Sequence, residues 1–238
     1  MENVAALALK LWQARQSGGI VDPADVQEPA SDTEAYAVQA EIVRLSGLPA
    51  RGFKVGSTSA EAQKLLGTSE PGSCPVLAPY YFDAPATVTL VPAHMPALEG
   101  EFAFRMGRDL PPRATDYTEA DVRDAIDAVA GAIEVVGTRL KGGLAGKGRY
   151  LTTADCGANI ALVVGPWQSE WRDIDLKAHA VEMQVNGTVK GSGTGARALG
   201  DPINVMIWLA NQQARHGRGL KAGEVVSTGT CTGLDPVA

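Results

Sequence analysis

The chain has 238 residues, is 45% hydrophobic and carries a formal net charge of -6 at pH 7, so it can bury a sizeable core but offers no basic stripe to nucleic acid. It has no run of the roughly 20 apolar residues that a membrane span needs, and its first residues lack the basic start of a secretory signal. Its three cysteines form no CxxC pair and are odd in number, so we expect a reduced, cytoplasmic protein with no nucleic-acid or membrane partner.

Helices are predicted in the first part of the chain. Apolar residues at helical spacing predict an amphipathic helix over residues 4–16. A second helix is predicted to begin at Ser31, which opens a capping-box pattern, and to end at Gly47. The same pattern at Thr58 predicts a third, short helix that ends at Gly67.

The pattern changes from residue 87 onward. Alternation with a period of two predicts strands over residues 87–91 and 102–106. Thr118 is expected to cap a helix whose apolar stripe continues as far as Ile133. The next three residues, 134–136, are interpreted as the possible start of a strand.

Strands and one further helix are predicted in the last third. Strands are expected at 159–164, at 181–190 around an Asn-Gly hairpin turn, and at 225–228, with a helix over 201–217. Helices at the start and strands in the middle and end favour an α+β fold over regular βαβ alternation. We expect one domain over residues 1–238, with a helical N-terminal part at 1–80 and a β-rich core that holds the site at 81–238.

Acidic residues are the most informative candidates for chemistry. On a strand, Glu99 and Glu101 share one face, which by itself is also typical of a solvated acidic face over a buried aromatic face. Glu134 lies in an apolar segment where an unpaired carboxylate is costly. A hard divalent cation shared by the three carboxylates would neutralise them, and an ion pair of Glu134 with Arg139 or Lys54 is the alternative.

Other polar residues are weaker candidates. Lys54 interrupts an apolar stretch, and beside a cation and an apolar wall its pKa could be depressed enough to move protons, although a surface lysine is equally compatible with the pattern. Glycine-rich stretches at 191–195 and 227–233 could offer backbone N–H groups to a carboxylate or could be ordinary turns. Asp155 and Asn159 could orient a ligand or cap a turn.

Several of these segments occur together in a known family. In chain order they are Gly52-Phe53-Lys54-Val55-Gly56, Glu99-Gly100-Glu101-Phe102-Ala103-Phe104, Asp109-Leu110-Pro111, Ala132-Ile133-Glu134-Val135-Val136, residues 155–159, Gly191-Ser192-Gly193, Leu199-Gly200-Asp201-Pro202 and Thr228-Gly229-Thr230. With these matches the chain resembles the 2-keto-4-pentenoate hydratase and 4-oxalocrotonate decarboxylase group of the fumarylacetoacetase-like superfamily, from about residue 35 to the end.

The resemblance implies a fold and a set of site residues. The fold would be α+β with a mixed, rolled β-sheet core and N-terminal helices. Glu99, Glu101 and Glu134 would hold Mg²⁺ or Mn²⁺. We assign catalysis to Lys54 and Asp155. Substrate binding is assigned to Arg139, Ser192, Gly193 and Thr230.

The resemblance also implies a reaction class. The expected enzyme is a divalent-metal-dependent lyase of aromatic-compound breakdown that hydrates a 2-hydroxy-2,4-dienoate to a 4-hydroxy-2-oxo acid. The alternatives are a decarboxylase of a 4-oxalocrotonate-like oxo diacid and a non-catalytic binder of 2-oxo acids. Many hydratases of the family have an acid beside the position of Gly72, whereas the nearest acid here is Glu70. Relatives also imply a homo-oligomer.

Overall fold

The computed structural model describes residues 2–237, so Met1 and Ala238 of the expected 1–238 domain lie outside the described residues. Six α-helices are present in that range. They are α1 (Glu2–Ser17), α2 (Asp32–Ser46), α3 (Ala60–Leu66), α4 (Glu119–Ala125), α5 (Gly148–Ala154) and α6 (Pro202–Arg215). Within residues 2–237, none of the helices combines the length and the apolar character needed to cross a membrane.

Nine β-strands form two sheets in the described part of the chain. They are β1 (Ala50–Gly56), β2 (Gly72–Leu77), β3 (Tyr81–Asp83), β4 (Ala97–Met106), β5 (Ile126–Val136), β6 (Asn159–Val164), β7 (Ala180–Val185), β8 (Thr188–Thr194) and β9 (Val225–Pro236). Seven strands form one sheet in the order β2-β1-β9-β4-β5-β6-β3, and β7 pairs with β8. The pairs β1/β9 and β3/β6 are parallel and the others antiparallel, so the predicted mixed sheet is present.

The largest apolar core lies between the seven-stranded sheet and α4 and α6. Phe104 and Met106 of β4 are buried there against Ile203 and Leu209 of α6. Helix α6 forms as predicted, because Pro202 occupies its first turn and the Asp201 side chain accepts a hydrogen bond from the Ile203 N–H at 2.8 Å. The apolar stripe of this helix holds the central strands in place.

A second core lies between α1, α2 and α5. Leu11 of α1, Val38 of α2 and Leu151 of α5 are buried in it. Arg15 extends from α1 and donates to the Asn159 carbonyl at 2.6 Å, at the start of β6. The N-terminal helices therefore support the end of the sheet where the candidate polar residues lie.

Several predicted elements are present with their predicted signals. Ser31 caps α2 by accepting from the Glu34 N–H, and Gly47 ends the helix in a left-handed conformation. The strand pair β7/β8 turns at Asn186-Gly187 as predicted. Its hairpin turn agrees with the strong preference of Asn-Gly for such positions.

Three expected elements differ from the structure. Residues 87–91 are not a strand, because their alternation reflects half-buried and exposed side chains with no paired neighbour among residues 2–237. The helix after Thr118 ends at Ala125, and the following β-branched residues form β5 because they pair along β4. Ser59, one residue after the predicted Thr58, caps α3 by accepting from the Ala62 N–H at 3.2 Å.

The expected division of the chain at residue 80 also needs correction. Strands β1 and β2 lie within residues 1–80, and β1 pairs with β9 near the other end of the chain. The N-terminal part is therefore not only helical, because it supplies two strands to the sheet that carries the polar residues.

Candidate active site

The three candidate glutamates meet on one surface of the main sheet. Glu99 on β4 lies opposite Glu134 on β5, and Glu101 follows two residues later on the same face of β4. One carboxylate oxygen from each of the three lies within 4.8 Å of the other two. Antiparallel pairing of β4 with β5 thus brings together residues that are more than thirty positions apart in the chain.

Glu101 is held by strand β9. Its Oε2 atom accepts hydrogen bonds from the Ser227 hydroxyl and from the Gly229 N–H, the latter at 2.9 Å. Gly229 has a φ of 86°, and a Cβ there would lie 2.0 Å from the Thr58 hydroxyl oxygen, so only glycine fits. The Oε1 atom of Glu101 is buried and has no hydrogen-bond partner.

Glu134 is fully buried and has two neighbours. Asn159 donates from Nδ2 to its Oε1 atom at 2.9 Å. Lys54 Nζ lies 3.3 Å from Oε2, which otherwise has no hydrogen-bond partner. Of the two ion-pair partners considered for Glu134, the structure brings Lys54 close, while Arg139 is paired elsewhere.

Lys54 is a buried residue of β1. Its Nζ atom donates to the Gly157 carbonyl at 2.9 Å while facing Glu134. Burial acts to lower the pKa of Lys54, but the charges of Glu134 and the other two glutamates outweigh it, so the pKa is raised. This direction holds for the lysine and the three carboxylates alone, and a depressed pKa of Lys54 beside a bound cation stays a prediction.

Burial and mutual repulsion favour protonation of the carboxyl groups. Burial, and then the charge of Glu134, raises the pKa of Glu99 to about 7. Burial, followed by the charges of Glu134 and Glu99, raises the pKa of Glu101 well above its usual range. The cluster is therefore poorly stabilised as three free carboxylates.

A divalent cation fits this donor set. Glu101 Oε1 and Glu134 Oε2 are buried oxygen atoms that accept no hydrogen bond. A cation bound between them would take the place of the missing hydrogen-bond donors. The three ligands are all oxygen atoms, as Mg²⁺ and similar hard cations prefer. Lys54 offsets one of the three negative charges and leaves two, which matches the charge of such an ion.

The raised pKa values predict a pH-dependent response to Mg²⁺. A carboxyl group whose pKa is higher in the folded than in the unfolded state makes folding less stable as pH rises, here from about pH 4.5 to about pH 7 for Glu99. Cation binding needs the ionised form, so Mg²⁺ should raise the melting temperature more at about pH 8 than at about pH 6. Thermal unfolding with and without Mg²⁺ measures this, and an equal rise at both pH values would contradict it.

A cavity of about 450 Å³ opens beside the glutamates. Lys54, Glu99, Arg197 and Thr230 contribute polar atoms to its wall, and the rest of the lining includes many apolar side chains. The apolar lining comes mainly from α3 and from the loop before α5: it includes Ala62, Leu65, Leu66, Met95, Val136, Leu144, Ala145 and Leu234. The volume is in the range of small-molecule sites.

Asp155 and Arg139, expected in catalysis and in substrate binding, pair with each other and are not part of this wall. Arg139 Nε donates to Asp155 Oδ1 at 2.7 Å, and both residues are at most 2% exposed. Asp155 Oδ2 also accepts from the Thr138 hydroxyl, and Arg139 Nη1 donates to the Asn159 carbonyl at 2.8 Å. These contacts make the pair a support for Asn159, which holds Glu134. The roles expected for Asp155 in catalysis and for Arg139 in substrate binding stay predictions.

Asp155→Asn is expected to destabilise the protein, because Arg139 would stay buried without a full negative partner. Breaking a buried pair costs about 3–5 kcal/mol, which for a chain of this size lowers the melting temperature by roughly 6–20 °C. Asp22→Asn is the matched control, since Asp22 pairs with Lys141 at the surface, and it should leave the melting temperature nearly unchanged. An Asp155→Asn variant with normal stability and no turnover would instead support a catalytic Asp155.

The glycine-rich stretches differ in their relation to the cavity. Thr230 of β9 contributes to the wall, and its assignment to substrate binding stays a prediction. Ser192 and Gly193 of β8 do not contribute to this wall, and their assignment to substrate binding stays a prediction. A Cβ at Gly193 would lie 2.1 Å from the Cys231 carbonyl oxygen, so this glycine permits close packing of β8 on β9.

Two cations of the cavity wall were missed by the sequence interpretation. Arg197 follows the glycine-rich stretch 191–195, and its buried Nε atom has no hydrogen-bond partner. Arg149, at the start of α5, also lines the cavity. A cation after a glycine-rich turn is the one signal that could have pointed to Arg197, and Arg149 has no signal of its own.

Comparison with known proteins places this arrangement in a family. The family model described as fumarylacetoacetate (FAA) hydrolase C-terminal matches residues 52–237. The chain belongs to the fumarylacetoacetate hydrolase family. The matched range contains all three glutamates and Lys54, so the fumarylacetoacetate hydrolase family predicted from the sequence is confirmed.

Relatives in the fumarylacetoacetate hydrolase family include named hydratases. The chain is 34% identical to a 2-keto-4-pentenoate hydratase of Burkholderia vietnamiensis, over 95% of this chain and 87% of the relative. It is 31% identical to a 2-hydroxyhexa-2,4-dienoate hydratase of Comamonas testosteroni, over 96% of this chain and 88% of the relative. These names agree with the predicted lyase class.

A solved structure of the same fold is similar along the whole chain. The 4-oxalocrotonate decarboxylase from Pseudomonas putida G7, complexed with magnesium and adipate, has a TM-score of 0.87 and 27% sequence identity. The alignment covers 100% of this chain and 90% of the decarboxylase. The expected α+β fold of this family is thereby confirmed.

Proposed function

We propose that this protein is a divalent-metal-dependent hydro-lyase that converts a 2-hydroxy-2,4-dienoate into a 4-hydroxy-2-oxo acid. The convergence of Glu99, Glu101 and Glu134 to within 4.8 Å, beside a cavity that contains Lys54, is the observation that carries this proposal. The hydratase names of relatives that align over almost the whole chain support the reaction class.

The cation proposed at the three glutamates is Mg²⁺ or Mn²⁺. When bound, it supplies Lewis-acid polarisation of the substrate's carboxylate and 2-oxygen. Hard, six-coordinate ions of this kind match an all-carboxylate set. The magnesium in the related decarboxylase structure supports this choice.

Lys54 is the proposed proton-handling residue. The 2-hydroxyl proton must leave and a proton must reach C5 before water can add at C4 and a further proton at C3. Lys54 Nζ, held by the Gly157 carbonyl and facing Glu134, is a cation at the polar end of the cavity that can hold or move a proton near the 2-oxygen. The half-buried Arg197, with a free Nε atom, is proposed to bind the substrate carboxylate together with Thr230.

A decarboxylase of a 4-oxalocrotonate-like oxo diacid is the second candidate. The whole-chain structural similarity to 4-oxalocrotonate decarboxylase favours it. Both reactions pass through a dienolate whose charge collects on the 2-oxygen, so the same residues serve either one.

Two substrates separate these candidates. With Mg²⁺ present, we expect the protein to remove the dienol absorbance of 2-hydroxypenta-2,4-dienoate and to release no CO₂ from 4-oxalocrotonate. Prompt CO₂ release would favour the decarboxylase. Failure to turn over either compound with Mg²⁺ or Mn²⁺ would contradict the proposed function and favour a binder.

The cellular context is also part of the proposal. We propose a homo-oligomer in the cytoplasm that acts in the breakdown of aromatic compounds. Free, buried Cys74, Cys156 and Cys231 are compatible with a reducing compartment. The aromatic-catabolic setting is taken from the substrates in the names of the related hydratases.

A further inference from the structure

The walls of the cavity differ in polarity from one part to another. Lys54, Glu99 and Arg197 contribute charged atoms beside the proposed cation site. Leu65 and Leu66 of α3 and Leu144 of the loop before α5 contribute hydrocarbon. A substrate held by its carboxylate and 2-oxygen at the charged part must direct its remaining carbon atoms toward the rest of the same cavity.

Exposed apolar side chains are concentrated in this cavity. Seven large hydrophobic side chains are exposed among residues 2–237. Three of them line the cavity: Leu65, which is 57% exposed, Met95 at 60% and Leu234 at 51%. Grouped exposed hydrocarbon is costly in water and typically marks a surface that something apolar covers. Because the hydrocarbon is continuous with the charged part of the cavity, the end of the same ligand is a suitable cover.

Arg149, which lines the cavity beside the apolar loop, already has carboxylate partners. Its Nε atom donates to Asp32 Oδ1 at 2.6 Å, and its Nη1 atom donates to the Thr68 hydroxyl and to the Glu70 carbonyl. The Glu70 carboxylate lies 3.9 Å from its Nη2 atom. A second substrate carboxylate would therefore have to compete with two existing carboxylates for this guanidinium.

Among residues 2–237, each cation of the cavity wall already has a carboxylate oxygen within 3.8 Å: Glu134 for Lys54, Asp32 for Arg149 and Glu61 for Arg197. The cations in the cavity wall, among the described residues, are Lys54, Arg149 and Arg197. Lys54 is engaged by Glu134, and Arg197 is taken by the first carboxylate in the proposed function. A carboxylate at the far end of a substrate would be desolvated without compensation.

We infer that the cavity selects monocarboxylic 2-hydroxydienoates or 2-oxo acids with an apolar chain and discriminates against those with a second carboxylate at the far end. Leu65 is assigned as a specificity-determining residue for that chain. The inference rests on the proposed function for the orientation of the substrate. It concerns only the end of the molecule that does not react.

Equilibrium binding tests the inference independently of turnover. The matched probes are 2-oxohexanoate and 2-oxoadipate, which have equally long chains ending in a methyl group and a carboxylate, with pyruvate as the short reference. By calorimetry with Mg²⁺, we expect 2-oxohexanoate to bind at least about tenfold more tightly than 2-oxoadipate. The affinity for 2-oxohexanoate should also exceed the affinity for pyruvate by about fourfold for each methylene that becomes buried. Equal or tighter binding of 2-oxoadipate would overturn the inference.

A charge placed in the apolar wall tests the role of Leu65. Leu65→Lys should weaken the binding of 2-oxohexanoate at least about fivefold and strengthen the binding of 2-oxoadipate. The affinity for pyruvate should stay unchanged. Leu9→Lys is the control, since Leu9 of α1 is similarly exposed at 44% and does not line the cavity. If both variants bind the three acids alike, Leu65 has no role in specificity. If the unmodified protein does not turn over 2-hydroxypenta-2,4-dienoate but binds 2-oxohexanoate more tightly than 2-oxoadipate, only the proposed function is contradicted.

Discussion

Glu101→Ala is expected to abolish turnover and to weaken Mg²⁺ binding at least about a hundredfold, because it removes one of three carboxylates from the proposed cation site. Calorimetric titration with Mg²⁺ measures the affinity directly. The fold should persist without the metal, since Glu101 is held in an environment that raises its pKa and disfavours its charge. Circular dichroism and the melting temperature of the metal-free variant check that point.

Two further variants make the result for Glu101 interpretable. Glu101→Gln keeps an oxygen that can accept from the Gly229 N–H but removes the charge, so it should lose Mg²⁺ affinity with little change in packing. Glu182→Ala removes an exposed strand glutamate of β7 and should leave both affinity and turnover unchanged. Normal Mg²⁺ affinity in Glu101→Ala would remove Glu101 from the ligand set.

Lys54→Ala is expected to lower the turnover number by about 10²–10⁴ while the protein still binds Mg²⁺. Removal of the ammonium takes away the proposed proton carrier, and it also removes a positive charge 3.3 Å from Glu134 that opposes cation binding. Single-turnover kinetics on 2-hydroxypenta-2,4-dienoate, together with calorimetry, separates these two effects.

Two further variants control for the lost side-chain volume at Lys54 and for the loss of a surface charge. Lys54→Met retains the length of the buried side chain without its charge. It should therefore have the same turnover number as Lys54→Ala and fold at least as stably as Lys54→Ala. Lys190→Ala removes an exposed lysine of β8 and should be silent. An unchanged turnover number in Lys54→Met with Mg²⁺ saturating would show that Lys54 takes no part in the reaction.

Local chemistry accounts for the elements that were predicted well. The caps at Ser31 and Asp201 and the Asn186-Gly187 turn are decided by interactions between residues at most three positions apart. The prediction was wrong where a distant partner decides the outcome. Residues 126–133 have apolar residues at helical spacing, but pairing with β4 makes them part of a strand.

The same distinction applies to the site. Glu99, Glu101, Glu134 and Lys54 were selected from local pattern and resemblance, and the structure brings them together. Asp155 and Arg139 were also selected as polar site residues, yet they pair with each other and do not line the cavity. Whether a buried charge faces a partner or a cavity depends on which strands and loops surround it, which spacing along the chain does not encode.

The amino-acid sequence alone therefore determined the family, the α+β class, the helix caps and the acidic residues available for a cation, because these depend on residue type and short-range order. Only the tertiary structure decided that one oxygen from each of three glutamates lies within 4.8 Å of the others and that Lys54 faces Glu134. It also decided that Arg149 donates to Asp32, whereas Arg197 lies 3.8 Å from Glu61 and has no hydrogen-bond partner for its Nε atom. The physical reason is that electrostatic energies depend on distance and burial, and strand register sets both.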